Sequence, residues 1–200
     1  MQTIDSLDAL EALYDDPVPA SLTKVARKIT PLYRQWIEAS RFVVVSSVGP
    51  EGTDASPRGE AGPVVRIADE KTVWLPDWRG NNRIDTLRNI VRDGRVSLMF
   101  MVPGCDNVVR LNGTAALTAD QDIRNGFAKG DTLPKTVIVV TVGEMYFQCA
   151  KALMRSQLWL PAAEKPAVPT AGQFIKEMKQ DFDAESYDSG YPDYAAGRMW

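Results

Sequence analysis

Two hydrophobic periods divide this chain near residue 40. Before that point apolar residues recur at helical spacing. Leu7, Leu10, Leu13 and Tyr14 follow a cap at Asp5 or Ser6, and Leu22, Val25 and Ile29 follow Ser21. Pro17 and Pro19 separate these two helices, and Pro31 opens a third running through Trp36 and Ile37. From Phe42 the period falls to two and the residues become β-branched. That predicts a strand over Phe42–Val48, the turn Gly49-Pro50-Glu51-Gly52, and a return strand through Ala55-Ser56-Pro57-Arg58. A hairpin follows over Pro63–Ile67 and Thr72–Leu75, then strands over Arg95–Met101, Val108–Leu117 and Thr136–Phe147. Between them, a helix from about Asn82 to Arg92 puts Ile84, Leu87 and Val91 on one face, and Asp120 caps a short helix to Ala128. A proline-rich connector (161–170), a short helix (171–182) and an aromatic polar tail with Tyr187, Tyr191, Tyr194 and Trp200 close the chain.

Six or seven short strands with tight turns predict a mainly β fold, an antiparallel barrel or sandwich with flanking helices. No GxGxxG is present and the strands do not alternate regularly with helices, which disfavours a dinucleotide-binding doubly wound sheet. A length of 200 residues fits one domain: a helical extension (1–40), a barrel (41–160), and a linker, helix and tail (161–200).

Composition narrows the chemistry. Net charge is −3, so the strong positive field needed by nucleic-acid or anionic-membrane binders is missing. No apolar run reaches the roughly 18 residues of a membrane span, and Met1-Gln-Thr-Ile-Asp5 lacks secretory features, so the cytoplasm is the expected compartment. The chain contains no histidine, which removes histidine triads, histidine-ligated haem and the usual catalytic zinc sites from one chain. Cys105 and Cys149 form no CxxC and read as two buried free thiols. Chemistry is therefore expected from a bound cofactor.

The most informative segment is Trp74-Leu-Pro-Asp77-Trp78-Arg79-Gly80-Asn81-Asn82-Arg83, a strand end passing through a glycine turn into a helix start. Arg79 and Arg83 stand at the helix pole that favours acidic residues. An anion between them removes the conflict, and free N–H groups with an arginine fork suit phosphate. Trp78, Arg79, Asn81, Asn82 and Arg83 thus form a candidate phosphate cradle, though surface arginines beside an asparagine cap are the ordinary alternative. Ser56 and Arg58 share one face of a strand and can add to the grip. Arg66 and Arg110 lie within apolar strands, where a buried arginine calls for an anionic partner. Lys151 and Arg155 fall on one face if the segment after the last strand turns helical, within reach of a cofactor's phosphate or ring. Trp74, Trp78 and Trp159 can stack on a planar ring or belong to the core. Cations and amides converging on an anion among apolar strands suit flavin mononucleotide (FMN).

The segments Ser56-Pro-Arg58, Val73-Trp-Leu-Pro-Asp77, Asn82-Arg83, Val96-Ser-Leu-Met-Phe100 and Val109-Arg-Leu-Asn-Gly113 resemble the pyridoxamine 5′-phosphate oxidase-like FMN-binding proteins over roughly residues 40–160. Within that superfamily the motifs SPRG, PD-x-x-GNNR-x-DTL and CAKALMRS-x-LW are similar to an uncharacterised bacterial branch. The resemblance implies an FMN-binding split β-barrel and a homodimer with one FMN in each of two interface clefts. It also implies that Arg58 stands against the flavin and that Asn82-Arg83 takes the place of a Ser-Arg phosphate pair. Departures are equally informative. The oxidases' lysine after the strand arginine gives way to Pro63-Val-Val-Arg66, and their glutamine falls at Val108. Their tryptophan–glutamine–serine segment is missing, and Ala196-Gly-Arg198-Met-Trp200 does not replace their C-terminal substrate motif. The implied reading keeps the FMN site and loses the vitamin B6 site. Expected function is an FMN-dependent oxidoreductase with an unidentified small substrate and a donor such as NAD(P)H. A non-catalytic flavin-binding protein for storage, sensing or regulation is the alternative; deazaflavin or haem in the same barrel ranks below both.

Overall fold

A computed structural model describes residues 1–161 and 167–200. Its elements run α1 (Leu7–Glu11), α2 (Pro19–Thr23), α3 (Pro31–Ala39), β1 (Phe42–Gly49), β2 (Gly52–Gly59), β3 (Arg66–Ile67), β4 (Thr72–Asp77), α4 (Asp85–Arg92), β5 (Arg95–Met101), β6 (Val108–Thr118), α5 (Gln121–Asn125), β7 (Thr136–Gln148), α6 (Lys151–Ser156), α7 (Ala171–Met178) and α8 (Ala184–Ala196). The expected mainly β, antiparallel architecture is what the chain adopts. Seven strands form one sheet in the order β2-β1-β5-β6-β7-β4-β3, and every pairing is antiparallel. Period-two patterning drives this. Val43, Val45, Leu98, Phe100, Leu111, Ile138 and Val140 alternate inward on four neighbouring strands and are fully buried.

The longest ladder joins β6 and β7 and shifts register between Asn112 and Gly113. The shift brings the backbones so close that a Cβ at Gly113 would meet the Thr141 carbonyl oxygen at 2.0 Å. Only glycine fits there, and the bulge bends the sheet around its core. Ile37 of α3 is wholly buried, and Leu87 and Ile90 are buried on α4, which packs mainly on β1.

Several expectations need correction. α1 ends at Glu11, before Leu13 and Tyr14, and the strand expected over Pro63–Ile67 is only Arg66–Ile67. The helices expected to reach Ala128 and residue 182 end at Asn125 and Met178. The second helix stops at Thr23 and does not carry Val25 or Ile29. Backbone pairing wins there: Ala26 N donates to the Met145 carbonyl at 2.8 Å and Ile29 N to the Glu70 carbonyl at 2.7 Å. The helix expected from Asn82 starts at Asp85, because Asn82 sits at φ 62°, a left-handed conformation that no α-helix admits. The aromatic tail is largely helical. Asp183 caps α8 by accepting from Ser186 N at 3.0 Å, and the Tyr187–Tyr191 and Tyr191–Tyr194 rings lie 6.0 Å and 6.3 Å apart along it. Both thiols are free, but Cys149 is exposed and Cys105 half-buried. Of the expected connector, 162–166 lie outside the described residues.

Candidate functional site

β2 begins the strand order and β4 stands next to its other end, with no ladder between them among the described residues. Side chains close the gap instead. Arg58 on β2 approaches Asp77 on β4, Nη2 to Oδ1, at 3.3 Å. A cavity of about 860 Å³ opens at this seam, within the roughly 300–1,000 Å³ typical of small-molecule sites. Its walls come from the end of β2, the end of β4, the turn into α4, the start of β7, and Tyr191, Met199 and Trp200 at the far end of the chain.

Seven of the sequence-predicted residues meet here: Ser56, Arg58, Trp78, Arg79, Asn81, Asn82 and Arg83 all line the cavity. Arg110, Lys151 and Arg155 do not. Arg110 is half-buried on β6 over the Tyr146 ring, with Nη1 donating to Gln148 Oε1 at 3.5 Å. Lys151 and Arg155 are exposed on α6, whose helical turn does place them on one side. Arg66 is exposed and donates to the Gly126 carbonyl while stacking on Phe127, so it needs no anion.

The turn is built by local hydrogen bonds. Asn81 Oδ1 accepts from Arg83 N at 2.9 Å, and Asn82 takes the left-handed step that asparagine tolerates. Asp85 then opens α4 at its acidic-preferring pole and binds Arg83 Nε at 2.6 Å. The charge conflict read from the sequence is therefore eased within the chain for Arg83, whose side chain is 81% exposed. Arg79 takes part in none of the ion pairs formed among the described residues. Lys135 adds a cation that sequence reading missed, its Nζ donating to Asn82 Oδ1 at 3.2 Å.

The deeper wall is more constrained. Arg58 Nη1 donates to Ser56 Oγ at 2.5 Å, and Nη2 reaches Asp77. Burial pushes the Asp77 carboxyl above its ordinary value, against the opposing pull of Arg58 and Lys135. Arg58 Nε and Thr136 Oγ1 are buried polar atoms with no hydrogen-bond partner, and both side chains line the cavity. A buried polar group left unpaired costs about 1–3 kcal/mol. Two such atoms belong to residues that line this cavity.

Glu60, which also lines the cavity, accepts from Trp78 Nε1 and from Lys129 Nζ. Trp200 packs edge-on against Trp78 at 5.6 Å. Glu60 directly follows the Ser56–Gly59 segment and was within reach of sequence reasoning. Lys129, Thr136 and Trp200 are distant in sequence and carried no local signal. Trp74 is half-buried on β4, and Trp159 Nε1 donates to the Cys105 carbonyl at 2.9 Å; neither lines the cavity. Among the described residues no cluster of three or more acidic or cysteine side chains could hold a metal ion, and no helix is long and apolar enough to cross a membrane.

An antiparallel sheet with a cavity at its unpaired seam defines the general class. The particular family follows from sequence. The profile described as Pyridoxamine 5′-phosphate oxidase matches residues 29–149, more than half of the chain, and the protein belongs to that family. No curated protein matches the sequence. Among solved structures, HupZ of Group A Streptococcus is similar at 22% identity over 60% of this chain and 93% of that chain, with a TM-score of 0.50. A protein from Clostridium acetobutylicum related to general stress protein 26, of the pyridoxinephosphate oxidase family, aligns at 16% identity over 57% and 84%, TM-score 0.44. An FMN-binding protein from Syntrophomonas wolfei subsp. wolfei aligns at 12% identity over 58% and 88%, TM-score 0.43. The likeness to HupZ and the all-antiparallel sheet agree on the fold, a split barrel.

Proposed function

We propose that this protein binds FMN in the seam cavity and acts as an FMN-dependent oxidoreductase on a small substrate. Family membership supports a flavin, and the unpaired Arg58 Nε and Thr136 hydroxyl carry the reading, because a bound polar group would satisfy both. Arg79, Asn81, Asn82, Arg83 and Lys135 would hold the phosphate at the turn. Ser56, Arg58 and Thr136 would hold the polar edge of the ring system, with the Arg58 charge favouring electron-rich flavin. Flavin itself supplies hydride or electron transfer when bound. Asp77 keeps Arg58 oriented. With its proton affinity raised by burial, it can also shed negative charge when electron density builds nearby.

Homodimer formation is part of the proposal. Phe147, Met154, Leu158 and Leu160 are exposed apolar side chains around the end of β7 and α6, the segment that also carries Lys151 and Arg155. A partner covering this surface would bring Arg110, Lys151 and Arg155, which miss their own cavity, towards the flavin of the other subunit.

The test is an absorbance spectrum of the purified protein followed by anaerobic mixing with NADH or NADPH. Bleaching of the flavin bands and their return with an added acceptor supports an oxidoreductase. A bound flavin inert to every donor supports the storage or regulatory alternative.

A further inference from the structure

Where Glu60, Trp78 and Trp200 line the cavity, Lys129 joins them in an arrangement that the phosphate grip proposed above does not use. Lys129 Nζ lies 2.8 Å from the centre of the Trp200 ring and 4.9 Å from that of Trp78. Its counter-ion is Glu60, whose side chain is only 9% exposed. Glu60 also accepts from Trp78 Nε1, so one carboxylate fixes both the cation and the indole. Glu60 follows β2, Trp78 follows β4 and Lys129 precedes β7. Three anchored segments thus build a box with a cationic floor and an aromatic wall. Such a box attracts the face of a planar, electron-rich ring.

Trp200 fills it, on a short tail beyond the end of α8 at Ala196. The neighbouring Arg198 stacks on Tyr194 of the same helix, 4.1 Å from the ring centre. Glu60, Trp78 and Lys129 hold one another without any contribution from Trp200.

We propose that this box is a subsite for a planar aromatic ring about the size of an indole, and that Trp200 is its built-in occupant. Its assignment to the substrate rests on the flavin reading above; its existence as an aromatic-binding site does not. An aromatic substrate would displace Trp200 and lie beside the cavity that holds the cofactor. Trp200 then acts as a competitive plug, keeping the cavity closed at that end until a ring of the right size arrives.

Free indole, added to the cofactor-free protein and followed by saturation-transfer NMR, tests this. Trp200→Ala should bind indole at least roughly ten-fold more tightly than wild type, since the plug no longer competes. Lys129→Gln in the Trp200→Ala background should abolish most of that gain, because the amide can still bond to Glu60 but offers no cation to the ring. Trp200→Leu, which keeps an apolar side chain on the tail, gives the same comparison if alanine loosens α8. Equal indole affinity in wild type and both Trp200 variants, or a gain indifferent to Lys129→Gln, overturns the proposal. A parallel FMN titration of wild type separates the two claims. Uptake of FMN without a gain in indole binding rejects the box alone, whereas a gain without FMN uptake rejects the flavin reading and leaves the box standing.

Discussion

The β6–β7 ladder and the β2/β4 seam are opposite solutions to closing one sheet. Along the ladder, β6 pairs with β7 from Val108 to Thr118 apart from the bulge, and inward positions such as Leu111, Ile138 and Val140 are completely buried. At the seam no ladder forms among the described residues, and the Arg58–Asp77 ion pair spans the gap. The ladder has a bulge that glycine alone permits; the seam has about 860 Å³ of space and two buried polar atoms left unpaired. The difference separates stability from function. Where the sheet pairs with itself it holds the fold, and where it does not it is available to hold something else.

That separation can be broken by substitutions on either side. The largest effect belongs to the ladder: Leu111→Ala should lower stability by about 2–5 kcal/mol, read by chemical denaturation, while surviving folded protein binds FMN as before. Next comes Arg58→Ala in the seam. It removes charge-assisted hydrogen bonds worth about 1.5–3 kcal/mol, so FMN affinity should fall roughly 10- to 100-fold in a fluorescence titration. Arg83→Ala should weaken FMN binding less, about ten-fold, with no change in the fold, because its exposed guanidinium already pairs with Asp85. Raising the salt concentration should shrink that difference.

The smallest effect concerns Asp77. Its carboxyl is held above the ordinary value of 3.8, so between 3.8 and its raised value the folded state binds more protons than the unfolded state. Stability contributed at this site is therefore lost as pH rises through that window. Asp77→Asn does not titrate, so the stability of wild type relative to the variant should fall across the window and level off above it. A difference that grows in favour of wild type with rising pH would contradict the burial argument.

Local patterning made the closed side legible. β5 runs over the expected Arg95–Met101, and β7 ends one residue beyond the expected Phe147, because alternating β-branched residues state both face and length. The cavity-lining turn after β4 stood out for a different reason: arginines and asparagines crowded around Gly80 are odd enough in sequence to be noticed. Asp85, two residues beyond Arg83, was overlooked as a partner, and the unusual φ of Asn82 displaced the helix start by three residues. Thr136, Lys129 and Trp200 could not be assigned. Thr136 and Trp200 reach the cavity, and Lys129 reaches Glu60 and Trp200, by tertiary folding alone, and no spacing in the chain announces it. The helical tail was misread because its Asp183 cap and tyrosine spacing were outweighed by a polar composition.

Titration of the cofactor-free protein with FMN, followed by quenching of flavin fluorescence, tests the central claim most directly. The account predicts saturation at one FMN per chain, with affinity lowered at least ten-fold in Arg58→Ala at unchanged folding. Fluorescence that stays unquenched at every protein concentration, or wild-type affinity in Arg58→Ala, would contradict it.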